Sequence, residues 1–108
     1  MGTTSRLALA CACGLLFAGG AIAADKAATH TVVIDGVAYK PQALTVKRGD
    51  TIVWVNKDPF PHTVTAKGVF DSHEIAAGKA WKYTASKAGE YVYICTLHPN
   101  MEATLKVE

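Results

Sequence analysis

Cys95, His98 and Met101 lie three residues apart in "CTLHPNM", which brings a thiol, an imidazole and a thioether into one seven-residue window. Thiolate and thioether sulfurs are soft donors that hold Cu(I), and imidazole also accepts Cu(II), so the group suits a metal that changes oxidation state. A further donor stands upstream: His62 in "NKDPFPHTV" follows Pro59 and Pro61 and opens an extended run. Two imidazoles, one thiolate and a weak thioether match the trigonal His2Cys arrangement with a long axial Met that marks electron-transfer copper. His62, Cys95, His98 and Met101 are therefore the candidate metal ligands. The cofactor they imply is one copper ion alternating between Cu(I) and Cu(II).

Any one of these residues alone would be ordinary packing or surface. The combination carries more weight, because Met101 is the only methionine after the initiator and Cys95 the only cysteine after residue 13. Zinc is compatible with part of the set, but a thioether is an unusual zinc ligand. A Cys–His hydrolase with Cys95 as nucleophile would leave Met101 without a task, and no Gly-rich turn flanks Cys95 to bind an oxyanion. The sequence thus points away from an enzyme. A copper-binding or delivery protein could use the same four ligands. Such proteins carry exposed Met/His-rich clusters or two-cysteine motifs, and neither occurs here.

The elements that must position these side chains are strands. The runs "HTVVIDG", "LTVKRGD", "TIVWVN", "HTVTA", "AWKYTA", "GEYVYIC" and "ATLKVE" are rich in Val, Ile, Thr, Tyr and Trp and are separated by Gly, Pro, Asp and Asn. No convincing helical period appears after the N-terminal segment. In "GEYVYIC" the alternation puts Tyr91, Tyr93 and Cys95 on one face and Val92 and Ile94 on the other, so the thiol ends a strand. Leu44, Val46, Ile52 and Trp54 are expected on the core side, with Gly49 in the tight connection between their strands. Seven or so short strands in a chain this small imply an all-β sandwich or barrel.

Residues 1–23 read as a signal peptide: Arg6, then the apolar stretch "LALACACGLLFAGGAIA", then Ala21-Ile22-Ala23 as a cleavage site before Ala24. A membrane anchor and lipid attachment at Cys11 or Cys13 are the alternatives. The first is disfavoured by the Gly and Ala content and the lack of a cationic stop, the second by the absence of a large aliphatic residue three before either Cys. The mature domain, residues 24–108, holds ten Lys/Arg against nine Asp/Glu. A balance that near neutral suggests neither a nucleic-acid partner nor a polybasic membrane surface, and a monomer without membrane insertion is expected. Cys95 would be the one mature cysteine, unable to staple the fold and a liability in an oxidising compartment unless something occupies it.

Secondary expectations concern the surroundings. Asn56, at the end of "TIVWVN", is either a turn residue or a hydrogen-bond bridge to the Thr96 region that ties the two ligand segments together. His30 and His73 are expected to be solvated. Trp54, Trp81, Tyr91 and Tyr93 are expected in the core or half-buried on strands.

With these residues in view, "CTLHPNM" and the upstream "PHTV" resemble the cupredoxins, the small blue copper proteins. The likeness extends over "YKPQALTVKRGDTIVWVNKDPFPHTV" and "AGEYVYICTLHPNMEATLKVE", nearly the whole mature chain. Within the family, the C-x2-H-x2-M spacing is similar to the short amicyanin-type loop. The resemblance implies an eight-stranded Greek-key sandwich with one type 1 copper at one end, ligated by His62, Cys95, His98 and Met101. It also implies an exported, periplasmic one-electron carrier with transient redox partners, such as a donor dehydrogenase or a cytochrome c-like acceptor. Leu97 and Asn100 stand where that loop usually has Pro and Phe, so the docking face differs. The rim around His98 is expected to comprise Phe60, Pro61, Leu97 and Pro99.

Overall fold

The structure is a computed structural model and describes residues 26–108. The signal peptide expected at 1–23 lies outside the described residues. Nine strands follow one another: β1 (Thr29–Ile34), β2 (Tyr39–Lys40), β3 (Ala43–Val46), β4 (Thr51–Asn56), β5 (Thr65–Ala66), β6 (Phe70–Asp71), β7 (Ala80–Thr84), β8 (Gly89–Ile94) and β9 (Glu102–Val107). They form two sheets, β2-β1-β4-β7 and β3-β9-β8-β5-β6, packed as a sandwich. Seven strands coincide with the seven runs read from the sequence. The two beyond them, β2 and β6, have two residues each, too few to show any alternation.

Alternation along β4 and β8 explains how the sheets face each other. Ile52, Trp54 and Asn56 are buried while Thr51, Val53 and Val55 are less so, and on β8 Tyr93 is buried between the exposed Val92 and Ile94. Trp54 lies at the centre, its indole N–H donating to the Tyr93 hydroxyl at 3.1 Å across the core. Aromatic rings surround it, with centroids 5.5 Å away at Tyr93 and Trp81 and 6.0 Å at Phe70. Val32, Ile34, Val64 and Leu105 complete the core with no exposed surface. The parallel pairing of β1 with β4 sends both strands to the same end of the sandwich, and β8 arrives at that end from the other sheet. His62 and Cys95 are delivered there.

At the opposite end Asp50 holds the N-terminal strand down. Its carboxylate accepts from the N–H groups of Ala28 (2.9 Å) and Lys47 (3.0 Å) and pairs with His30 Nε2 (2.9 Å). His30 is therefore a half-buried partner and not the solvated residue expected, whereas His73 is exposed as expected. The Ala28 amide, then the His30 ring and the Lys47 amide hold the Asp50 carboxyl down to about 2 from 3.8. A carboxyl with a depressed folded-state pKa stabilises the fold above its unfolded value and loses that contribution as pH falls through the folded one. Thermal midpoints of the wild type should accordingly drop as the pH falls from about 4 to about 2. In Asp50→Asn this drop should be smaller, from a lower starting midpoint at neutral pH.

Candidate metal centre

The loop from Cys95 to Met101 closes on itself. The Cys95 N–H donates to the Met101 carbonyl at 3.1 Å, and immediately outside this contact Ile94 pairs with Glu102 as β8 and β9 come together. Pro99 restricts its own φ, and Asn100 takes φ 68, a left-handed conformation that Asn tolerates better than most residues. The departure noted at Asn100 thus has a backbone reason: it turns the chain so that Met101 re-enters the interior, where it is buried. Cys95, His98 and Met101 line one cavity of about 370 Å³, together with Leu97, Pro99 and Asn100.

His62 comes from the other side, held by its backbone. Its N–H donates to the Ile75 carbonyl (3.2 Å) and its carbonyl accepts from the Ile75 N–H (2.7 Å), an isolated bridge to the segment after β6. Asn56 shapes the loop that carries it there. The Asn56 amide donates to the carbonyls of Phe60 and Ile75, both at 2.9 Å, and its Oδ1 accepts from the Asp58 N–H at 2.9 Å. Of the two expectations for Asn56, the bridge to Thr96 is not the one observed; Asn56 organises its own loop. The tie between the ligand segments is made by Thr63, whose Oγ1 accepts from the Thr96 N–H at 2.9 Å. The Thr63 N–H also donates to Cys95 Sγ at 3.3 Å.

Three donor atoms converge. Cys95 Sγ lies 3.7 Å from His62 Nδ1 and 3.4 Å from His98 Nδ1, and the three ligand atoms fall within 4.8 Å of one another. Metal–N and metal–S bonds of about 2.1 and 2.3 Å in a trigonal plane would put nitrogen and sulfur about 3.8 Å apart, so the observed spacing fits one metal ion. His62 has no exposed surface and Cys95 is 3% exposed, whereas His98 is half-buried. The donor set thus has two buried members and one at the surface. Phe60 leans over both rings, its centroid 5.3 Å from that of His62 and 5.5 Å from that of His98.

Two further residues build the surroundings. Tyr39 donates its hydroxyl to the Thr63 carbonyl at 2.6 Å, and burial, with the nearby Cys95 thiol adding to it, raises the phenol well above its usual range, so it remains a donor. Asp58 accepts from His62 Nε2 at 2.7 Å. The sequence reading singled out neither Asp58 nor Thr63. The signal available was a carboxylate four residues before a candidate ligand, in a Pro-flanked loop whose conformation has no period to read.

The chain is also similar to known proteins in sequence and fold. A family model described as a cupredoxin-like domain matches residues 7–107. Amicyanin of Paracoccus versutus is 37% identical over 93 residues, covering 80% of this chain and 70% of that protein. Plastocyanin of Scenedesmus fuscus is 30% identical over 88 residues, covering 65% of this chain and 86% of that protein. Among solved structures, a Cu(I) form of an amicyanin mutant superposes with a TM-score of 0.70 at 34% identity, covering 80% of this chain and 89% of that one. A Cu-containing nitrite reductase from Thermus scotoductus also superposes, with a TM-score of 0.69 at 30% identity over 74% of this chain, but the chain spans only 22% of that enzyme. The two-sheet sandwich, the convergent His, Cys and His donors at one end, and a family match over nearly the full length lead to one conclusion: this chain belongs to the cupredoxin-like family.

Proposed function

We propose that the protein is an exported, periplasmic one-electron carrier with a single type 1 copper ion held by His62, Cys95, His98 and Met101. The observation that carries this is the convergence of two imidazole nitrogens on one thiol at 3.4 and 3.7 Å, with His62 and Cys95 buried and His98 reaching the surface. Copper held there supplies a site that takes up and gives back one electron. The protein's own residues do the rest. The Thr63 N–H bonded to Cys95 Sγ stabilises negative charge on the sulfur, and the Thr63–Thr96 contact keeps the two ligand segments in register as that charge changes. Met101, buried and lining the same cavity as Cys95 and His98, would be the weak thioether donor of the set.

Electrons would enter and leave through His98. Around it, Phe60 (38%) and Leu97 (44%) are exposed, and Pro61 and Pro99 lie beside the ligands in sequence. An apolar rim with few charges suits a redox encounter, whose interface is small and must release quickly. Ile94, the residue before Cys95, is aliphatic and exposed, so it offers no aromatic route from the thiolate to the surface. The relatives named amicyanin and plastocyanin support a carrier and not an enzyme. Among the described residues no helix is long and apolar enough to cross a membrane. Export rests on the segment at 1–23, and cleavage would leave residues 24–108 as the working domain.

The same ligands could serve copper delivery, but burial weighs against it. Stepwise handover by ligand exchange needs several donors that a recipient can reach, and His98 is the only one of the three convergent residues that is not buried. Repeated oxidation and reduction of the copper-loaded protein tests the proposal. A carrier keeps its metal through every cycle, whereas a delivery protein loses it to a competing chelator in one of the two states.

A further inference from the structure

We infer that Thr65 and Asp71, neither of them a candidate ligand, are positioning residues: a surface carboxylate sets a one-way chain of hydroxyls that ends on the contact joining the two ligand segments. The inference rests on the copper-site reading above, because it concerns what holds that contact in place. Thr63 Oγ1 lies 3.0 Å from Thr65 Oγ1, and the Thr65 hydroxyl donates to Asp71 Oδ1 at 3.0 Å. On its other side Thr63 Oγ1 lies 3.3 Å from Thr96 Oγ1 and accepts from the Thr96 N–H at 2.9 Å. The chain runs from the loop that carries Cys95 and His98, through the buried Thr63 and the half-buried Thr65, to an exposed carboxylate.

Its direction follows from counting protons. A hydroxyl has one proton to donate, and a carboxylate can only accept. The Thr65 proton is committed to Asp71, so the contact between Thr65 and Thr63 must use the Thr63 proton. Two hydroxyl oxygens 3.0 Å apart with no proton between them would repel. Towards Thr96 the Thr63 oxygen is then an acceptor alone, for the amide and the hydroxyl together. Hydrogen bonds aligned in one direction polarise one another, which strengthens each of them. Without the carboxylate the order is free to reverse, with Thr65 donating to Thr63 and Thr63 to Thr96. Asp71 is placed for this task by the fold, since it stands directly opposite Thr65 across the β5–β6 pair. Its Oδ1 also accepts from the His73 N–H at 2.8 Å, and that amide, more than the Thr65 hydroxyl, holds the carboxyl below its usual range. Thr63 in turn donates its N–H to Cys95 Sγ, so whatever fixes Thr63 bears on the thiol.

The test needs no metal. In copper-free wild type labelled with 13C and 15N, the Thr63 hydroxyl proton should exchange slowly enough to be observed at low temperature. Its Overhauser contacts should point to Thr65, and the Thr63 side chain should occupy one rotamer. A hydroxyl directed at Thr96, or one too short-lived to observe, would overturn the inference. In Asp71→Ala the contacts to Thr96 should appear. Thr65→Val removes the link at nearly constant volume, so Thr63 should average over rotamers and the Thr96 amide should exchange about 3–10-fold faster. Thr65→Ser, which keeps the hydroxyl, should restore both. An unchanged Thr63 rotamer and Thr96 exchange rate in Thr65→Val would mean that the chain positions nothing. If Thr65→Val does not fold, the wild type and Asp71→Ala still decide. A protein that failed to carry electrons would leave all of these measurements unaffected.

Discussion

Cys95→Ser is expected to abolish the intense thiolate-to-copper absorption completely while leaving the β-sheet circular dichroism of the metal-free protein unchanged. Sγ would be the one soft thiolate donor of the proposed ligand set, and it lies 3.7 and 3.4 Å from the Nδ1 atoms of His62 and His98. A serine hydroxyl at this position is hard, weakly acidic and shorter in reach, so copper would either leave or settle into a pale complex on the imidazoles. The fold should survive because Cys95 lies just past the end of β8 and, although it belongs to the same buried cluster as Trp54, serine is close to it in volume. Retained blue colour in Cys95→Ser would show that the thiol is not a ligand.

Trp54→Ala should have the largest effect on stability of any single core change. Trp54 is fully buried, pairs with Trp81 across β4 and β7, and donates to Tyr93 across the sandwich. Truncating a buried Trp costs about 3–5 kcal/mol from lost transfer energy and the cavity left behind. Here the lost N–H partner adds to that, since the buried Tyr93 hydroxyl, whose phenol burial raises to about 12, loses a donor. Native domains have only about 5–15 kcal/mol in total, and a domain this small sits towards the lower end. The denaturant midpoint of the metal-free variant should therefore fall by half or more. A change of under about 1 kcal/mol would mean that the core does not centre on this indole.

The parts of the molecule legible in the sequence are those governed by strict periods or unusual residue types. Alternation in "TIVWVN" and "GEYVYIC" placed Trp54, Tyr93 and Cys95 inside, and the spacing of Cys95, His98 and Met101 put them on one loop. The two-residue strands β2 and β6 carry no such signal. The links among loops were harder still. Asn56 was a reasonable candidate for a bridge, yet which loop an amide reaches depends on the path of residues 57–62 through two prolines, and that path put Phe60 and Ile75 within its range. Thr63 and Asp58 act through partners 33 and about 21 positions away, at Thr96 and in the Gly36–Val37 turn. His30 was misjudged for the same reason, since its partner Asp50 becomes a neighbour only through the parallel pairing of β1 with β4.

The most direct measurement is a stepwise redox titration of the copper-loaded domain, residues 24–108, followed by absorption and electron paramagnetic resonance with a chelator present. One equivalent of copper should give an intense blue colour with narrow copper hyperfine splitting, lose it on taking up one electron, and recover it fully on reoxidation over repeated cycles. A colourless or pale complex with wide splitting, or loss of copper to the chelator on reduction, would contradict an electron carrier built on His62, Cys95, His98 and Met101.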